Sequence, residues 1–430
     1  MLSASKRLTH DNSMRVFLSA GEPSGDHHAA LLCRSIKDQC PEAVCVGLGG
    51  PKMQNAGCDL IADMTQLAVM WFFRVLAKIH CFVDLARRAE RSFLDERPDV
   101  CVLVDFPGFH WWLAWRAKRH GIPVVFYCPP QIWAWASWRI HKMRRLIDYV
   151  LSALPFEHDW FVSHGVSSTY VGHPFFDVRH VPEKKYRTTK EKPLILLLPG
   201  SRGQEIEANL KSLLLTARKV EQEIPHATFV VAALHQRHAK YINELMRSYP
   251  VGTYPDQLVI EAGKTSEIIP QATVAVCVSG SVSLELLAAR VPSVMVFSLS
   301  GLAYVVQSWV RHCRSFTLVN LLAMSDPIGP LNPVFWPPRQ PPSPDPKMIY
   351  PEYLTVADSS SALANHVVEW LTDSKSYEGT VAALEKLASK VAQPGSASRA
   401  AKVILDIAAN GLYPSNDDRI ISAQHAEQAA

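Results

Sequence analysis

No CxxC pair occurs among the nine cysteines of this 430-residue chain, at positions 33, 40, 45, 58, 81, 101, 128, 277 and 313. An odd number of thiols, several inside apolar runs, reads as reduced and buried in the cytosol. Neither GxxxxGK[ST] nor GxGxxG is present, so neither common nucleotide fingerprint applies. The opening "MLSASKRLTHDNS" carries charge but no apolar core, which argues against a signal peptide. The most apolar segment, residues 67–85, is interrupted by Arg74, Lys78, His80 and Asp84. That is too much charge for a lipid-spanning helix, so any membrane contact must be peripheral. Net charge is only +4, from 44 Lys and Arg against 40 Asp and Glu. Such a balance is too mild to imply nucleic acid, yet it suits an anionic ligand or membrane surface where positives cluster.

What is present is the makeup of a globular protein, 48% hydrophobic and 20% charged. Short apolar runs ending in Gly or Pro alternate with helical patterns: "MRVFLSAG", "DHHAALLCRSIKDQ", "AVCVGLGG", "PDVCVLVDFPGF", "WWLAWRAKRHG", "IPVVFYCPP". This is the rhythm of a parallel α/β sheet covered on both faces. A second series begins after the charged stretch 183–193 with "LILLLPG", "ATFVVAAL", "VAVCVSG" and "PSVMVFSL". The expected division is an extension over 1–14, an α/β domain over 15–180 and a second over 190–350. C-terminal helices over 352–415 and a tail over 416–430 complete it. Residues 327–351 hold ten prolines, which cannot continue a helix or central strand, and read as a loop insertion or strap.

In an open parallel sheet, ligands gather outside the carboxyl ends of the strands, and four such ends here carry unusual chemistry. In "FLSAGEPSGDHH", Gly21 and Gly25 allow a tight turn and Ser24 or Asp26 can cap the helix. Glu22, Asp26 and His27 crowding the same edge exceed what a cap requires. In "LVDFPGFH", Asp105 directly follows a strand interior and is presented either as a general base or as a structural acceptor. The stretch "YCPPQIWAWASWRIHKMRRL" mixes Trp133, Trp135 and Trp138 with Arg139, Lys142, Arg144 and Arg145. It fits a core plus a solvated helix face, or a surface for a phosphorylated, acylated ligand. In the second series, "LLLPGSRGQEIEANL" sets Ser201 and Arg202 between strand and helix, where Arg202 can meet a phosphate. "VCVSGSVSLELLAA" offers Gly280 and Ser281 at a helix start for a diphosphate, with Glu285 one turn on for ribose hydroxyls. Two phosphate-competent loops in one domain favour a nucleotide.

Taken in order, "AGEPSGD", "GLGGPKMQNAGC", "LAVM", "VDFPGF", "QIWAWASWRIHKM", "LPFE", "VGHP", "LLPGSRGQEIE", "SGSVSLELL" and "NLLA" resemble the lipid-A-disaccharide synthases, inverting glycosyltransferases of the GT-B type. The resemblance spans roughly residues 15–325 and returns more weakly at "YPEYL" and the C-terminal helices. It implies two Rossmann-like domains facing across a cleft. The implied reaction moves 2,3-diacylglucosamine from its UDP derivative to O6 of 2,3-diacylglucosamine 1-phosphate, giving a β-1,6 disaccharide and UDP with no metal or other cofactor. Implied partners are these two acylated sugars and an anionic membrane surface on the inner face of the cell membrane; a homodimer is a further candidate, and nucleic acid is not. By the same resemblance Asp105 is an essential acid and Arg202 an essential donor-side residue. Ser281 and Glu285 lie by the diphosphate and ribose, with Asn320 of "VNLLA" close by. Glu22, Ser24 and Asp26 would then edge the acceptor side, the carboxylates orienting sugar hydroxyls or Asp105.

The chain departs from the family pattern at Trp71, Phe72, Phe73 and Arg74, where a small residue usually follows "LAVM", and at His110, where Asn is usual. Bulky aromatics there bear on acyl-chain choice or membrane docking. The longer proline strap affects the fit around Glu352. Segment 69–91 sets Arg74, Lys78 and Arg88 beside Val69, Phe72, Phe73 and Leu76, as an interfacial helix or a domain helix with a basic rim would. In "HWWLAWRAKRHG", Arg116, Lys118 and Arg119 suit the negative end of a helix stopping at Gly121. Two other functions use the same scaffold: a UDP-sugar 2-epimerase, and a non-catalytic, membrane-associated sugar-nucleotide binder.

Overall fold

The computed structural model describes residues 13–65, 79–177, 192–278, 280–329, 331–340 and 343–411. Seven strands, β1 (Arg15–Ala20), β2 (Val44–Gly49), β3 (Asp59–Asp63), β4 (Val100–Val104), β5 (Val124–Tyr127), β6 (Tyr149–Ser152) and β7 (Ser168–Tyr170), form a parallel sheet in the order β3-β2-β1-β4-β5-β6-β7. Six more, β8 (Leu194–Leu198), β9 (Thr228–Ala233), β10 (Leu258–Ala262), β11 (Val274–Val278), β12 (Ser293–Ser298) and β13 (Glu352–Thr355), form a second parallel sheet in the order β10-β9-β8-β11-β12-β13. Two α/β units of this kind are the architecture the apolar rhythm predicts.

The central strands explain themselves. "VCVLV" of β4 and "LILLL" of β8 are buried at every position, as strands covered by helices on both faces must be. Helices supply the cover with one apolar stripe each: in Pro23–Gln39 the buried Ala29, Leu32, Cys33 and Ile36 recur at spacings of three and four. All nine cysteines are unpaired, and Cys33, Cys45, Cys58, Cys101, Cys277 and Cys313 are buried. Among the described residues no helix is long and apolar enough to cross a membrane.

The C-terminal region differs from the expected separate helical block. Residues 13–132, Ala136–Asp177 and 393–411 form one compact unit, and Trp133–Trp135 with 192–392 form the other. Glu352–Thr355 is a strand, paired with β12 from Met295↔Glu352 to Ser298↔Thr355. Helix Ser360–Thr372 adds Leu363, Ala364, Val367 and Trp370 to the core around Ile195 and Leu197. The final helix, Ser396–Asn410, instead lays Ala400, Ala401, Val403, Ile404 and Ile407 against Ala29, Leu32, Cys33 and Ile36 of the first unit. Its start is tied down by Asp177, whose carboxylate accepts from the N–H groups of Gly395 (2.7 Å), Ser396 (2.8 Å) and Ala397 (2.7 Å). A helical stripe in the sequence announces that a face is buried, but not which sheet buries it.

The proline-rich 327–351 stretch is irregular over its described residues, apart from one bridge between Ile328 and Cys313. Phe335 and Trp336 stand out at 70% and 83% exposure, while Tyr350 is fully buried and donates to the Val291 carbonyl at 3.1 Å. The interfacial segment expected over 69–91 lies outside the described residues as far as 78. From Ile79 to Asp95 it is a helix burying Phe82, Leu85, Ala86, Ala89 and Phe93.

Candidate functional site

Each sheet reverses its strand order at one place, the position where open α/β sheets bind ligands. In the first sheet that place lies between β1 and β4, which run in register from Val16↔Val100 to Ala20↔Val104. The two chains leaving these ends are Gly21–Asp26 and Asp105–Gly108, so motifs some 80 residues apart in sequence meet there. A β-carbon on Gly21 would lie 2.3 Å from the Phe106 ring, so only glycine lets the turns approach this closely. An ideal β-carbon on Gly25 lies 3.7 Å from Asp105 Cβ, ordinary contact distance.

Asp105 and Phe106 are both left-handed, with φ of 55° and 48°. Each such non-glycine residue costs about 1–3 kcal/mol and persists only where its surroundings over-determine it. The surroundings here include His110, completely buried one turn into helix Pro107–Arg119. Its Nδ1 lies 2.5 Å from the Asp105 carbonyl and its Nε2 lies 2.9 Å from Ser19 Oγ. A carbonyl only accepts, so Nδ1 carries the hydrogen and Nε2 accepts from the Ser19 hydroxyl. Burial pushes the imidazole down to about 4, against the opposing pull of the Asp105 carbonyl, and it is neutral at pH 7.

The opening stretch is arranged differently from expectation in one respect. Glu22 is the N-cap and Ser24 is exposed on the first turn of helix Pro23–Gln39, which no side chain caps. Asp26, expected on the ligand edge or as a cap of its own helix, is 3% exposed and turned inward. Its two oxygens accept from the N–H groups of Gly50 (2.8 Å), Lys52 (3.0 Å) and Met53 (3.1 Å), so it caps the neighbouring helix Pro51–Asn55. Three backbone donors outbid a solvent-facing role, because a buried carboxylate must be fully hydrogen-bonded. Beside it His28 is held down at about 3, by burial first and then by His173.

In the second sheet the reversal lies between β8 and β11, paired from Val274↔Ile195 to Cys277↔Leu198. The loop 199–202 and the Gly280–Ser281 turn therefore emerge side by side, and both open helices, Gly203–Glu223 and Val282–Ala289. Gly200 has φ +119° and a β-carbon there would sit 2.6 Å from Glu205 Cβ, so the turn requires glycine. Glu205 reaches back to accept from the N–H groups of Ser201 (2.9 Å) and Arg202 (3.3 Å), and its other oxygen is 3.0 Å from Arg202 Nη1. Backbone N–H groups, the Ser201 hydroxyl (3.4 Å) and the Arg202 guanidinium thus converge on the Glu205 carboxylate, a capping box that closes the start of the helix. Arg202 remains 70% exposed. Gly280 and Ser281 are exposed, and a β-carbon on Gly280 would meet no atom within contact range. Glu285 is half-buried and accepts from Ser266 Oγ at 2.9 Å.

Comparison with known proteins settles which scaffold this is. Residues 16–329 match the lipid-A-disaccharide synthetase family. Lipid-A-disaccharide synthase of Anaeromyxobacter sp. (strain K) is 31% identical over 408 residues, 94% of this chain and 99% of the relative. That of Myxococcus xanthus (strain DK1622) is 29% identical over 92% of this chain and 98% of its own. The chain belongs to the lipid-A-disaccharide synthetase family. It is accordingly a glycosyltransferase of lipid A biosynthesis. Solved structures share its fold at low identity. A UDP-N-acetylglucosamine 2-epimerase superposes with TM-score 0.57 at 13% identity, covering 92% of this chain and 96% of its own. The glycotransferase of kitacinnamycin gives 0.58 at 15%, covering 92% and 99%. Epimerases and transferases thus share this GT-B framework, and the family membership separates them.

The remaining predicted positions divide clearly. Asn320, expected near the diphosphate, is 1% exposed, and its amide donates to the Tyr350 carbonyl (2.8 Å) and Glu352 (3.3 Å) while accepting from Tyr350 N–H (3.0 Å). It ties the end of the proline strap to the second sheet. Glu352 is buried with it and also accepts from Ser315 Oγ at 2.7 Å; burial raises its pKa against those hydrogen bonds. Of the aromatic stretch, Trp133 is buried while Trp135 and Trp138 are exposed, which fits a core contact beside a solvated face. Arg116 pairs with Glu90 at 3.2 Å and Lys118 with Asp148 at 2.5 Å, the structural account expected for that helix end. Among the described residues no group of three or more His, Cys, Asp or Glu is arranged to hold a metal ion. The sequence did not point to Ser19 and Glu205 as partners of these residues; the Glu three residues after Arg202 was the available signal for the second.

Proposed function

We propose that this glycosyltransferase joins a UDP-activated 2,3-diacylglucosamine to the O6 hydroxyl of a 2,3-diacylglucosamine 1-phosphate with inversion at the anomeric carbon. The acceptor O–H bond and the donor bond between C1 and the phosphate oxygen break as the β-1,6 bond forms. Asp105 takes the hydroxyl proton and UDP departs with the electron pair. A sugar hydroxyl is a poor nucleophile, so a carboxylate must accept its proton as attack proceeds. Negative charge growing on the leaving diphosphate is met by Arg202, Ser201 and the N–H groups that open helices Gly203–Glu223 and Val282–Ala289. Glu22 and Ser24, on the loop that packs beside Asp105, contact the acceptor. The proposed chemistry needs no metal, and the acylated substrates bring the protein to an anionic membrane surface.

The observation that carries this reading is the carboxylate of Asp105 at the strand-order reversal of the first sheet, on a residue kept in a strained conformation. Purified protein given UDP-diacylglucosamine and the acylated acceptor phosphate should release UDP and yield a disaccharide visible by mass spectrometry. Acceptor-independent change of the nucleotide sugar would instead support the epimerase, and UDP binding with no turnover on any acylated donor the binder.

A further inference from the structure

We infer that His110 is a positioning residue for the reaction: bridging Ser19 and the Asp105 carbonyl, it holds the left-handed Asp105–Phe106 turn in the shape that presents the Asp105 carboxyl. The inference rests on the reading of Asp105 as the base and adds the device that keeps that base in place. Two successive left-handed residues without glycine would relax to ordinary backbone if nothing held them. The holding contacts are local to the first unit. Ser19 is fully buried in β1, the strand that neighbours β4, and its hydroxyl fixes one ring nitrogen. The other nitrogen holds the carbonyl of the very residue whose side chain does the chemistry. Phe106, the second left-handed residue, has its ring 6.0 Å from the His110 ring, edge to face, and occupies the space that Gly21 leaves. His110 is therefore bonded to the backbone on one side of the turn and packed against the side chain on the other.

Rotating the Asp105 peptide by a few tens of degrees moves its carboxyl by an ångström or more, and misplacement on that scale costs about a hundredfold in rate. Replacing His110 with Leu removes both hydrogen bonds while keeping an apolar filling. The expected result is a kcat lowered 10- to 100-fold with KM for both sugars within threefold. Asn keeps a donor near the position of Nδ1, so His110→Asn should recover most of the lost kcat, with an unchanged pH profile. Ser19→Ala, which removes only the far hydrogen bond, should lower kcat two- to fivefold, and it serves where the Leu variant does not fold. Histidine ring ¹⁵N shifts at pH 7 should show a neutral ring protonated on Nδ1.

Wild-type kcat in both His110→Leu and Ser19→Ala overturns the inference. So does an Nε2-protonated ring, or an Asn variant as poor as Leu with one limb of the pH profile gone, which would make His110 a participant in its own right. Asp105→Asn assayed in parallel separates the two claims. If it is inactive while the His110 and Ser19 variants are not, only the positioning role fails; if it turns over fully, the base itself is wrong.

Discussion

The loop after β4 and the loop after β8 both end a fully buried strand at the reversal of a parallel sheet, yet they are built in opposite ways. The first is constrained: two left-handed residues without glycine are tied by a buried histidine and a buried serine at the Asp105 backbone carbonyl. The second is open: glycine provides the positive φ, Arg202 is 70% exposed, and its partner is a carboxylate only three residues along. On the proposed reading the first loop must place one proton acceptor, which demands one atom in one place, whereas the second holds a diphosphate by many donors that adjust around it. The lesson is that strain is found where geometry must be unique, and adaptable backbone where charge alone must be met.

Four measurements break or sharpen this contrast. The largest effect should follow Asp105→Asn, which keeps shape but removes the base: turnover should fall about 10³- to 10⁴-fold with thermal stability little changed. Retained turnover would remove Asp105 from the chemistry. Acidification should come next, and it should act on the first unit. Folded His28, His110 and His173 have pKa values near 3, 4 and 4, below the 6.5 of the unfolded chain. The unfolded state therefore takes up protons first as pH falls, and stability present at pH 7 is lost from about 6.5 down to about 4. The slope is about 1.4 kcal/mol per pH unit for each imidazole, read from urea midpoints between pH 7 and 5. A flat profile would show that these rings charge without cost in the folded protein.

Arg202→Ala should lower kcat about a hundredfold, with Lys recovering only part because it cannot present a planar fork. An alanine variant with full kcat would leave the leaving group to backbone donors alone. The smallest effect belongs to Glu205→Ala: it removes a cap and an exposed ion pair, so unfolding stability should fall by about 1 kcal/mol at most. A loss several times larger, seen in a thermal melt, would show that the second loop is as constrained as the first.

Much of this was legible in the residues. Asp105 follows an unbroken apolar strand, and Ser201–Arg202 and Gly280–Ser281 each stand between strand and helix, so their strand-end placement needed only periodicity. Asp26 was misread because its three partners lie at Gly50, Lys52 and Met53, well beyond any local spacing rule. The partners of Asn320 were equally out of reach of the sequence, its amide being bonded to Tyr350 and Glu352 some thirty residues on. The last helix could be drawn from its apolar stripe, while its docking on Ala29 and Leu32 could not.

Alternation of apolar strands with amphipathic helices by itself determined two parallel α/β units and the strand ends where chemistry gathers, because burial on both faces admits only such patterns. Tertiary structure alone decided which polar groups at those ends face outward and which are taken up by backbone donors. A buried carboxylate, amide or imidazole goes where its hydrogen bonds are complete, and those partners come from strands and turns that only the folded sheet brings together.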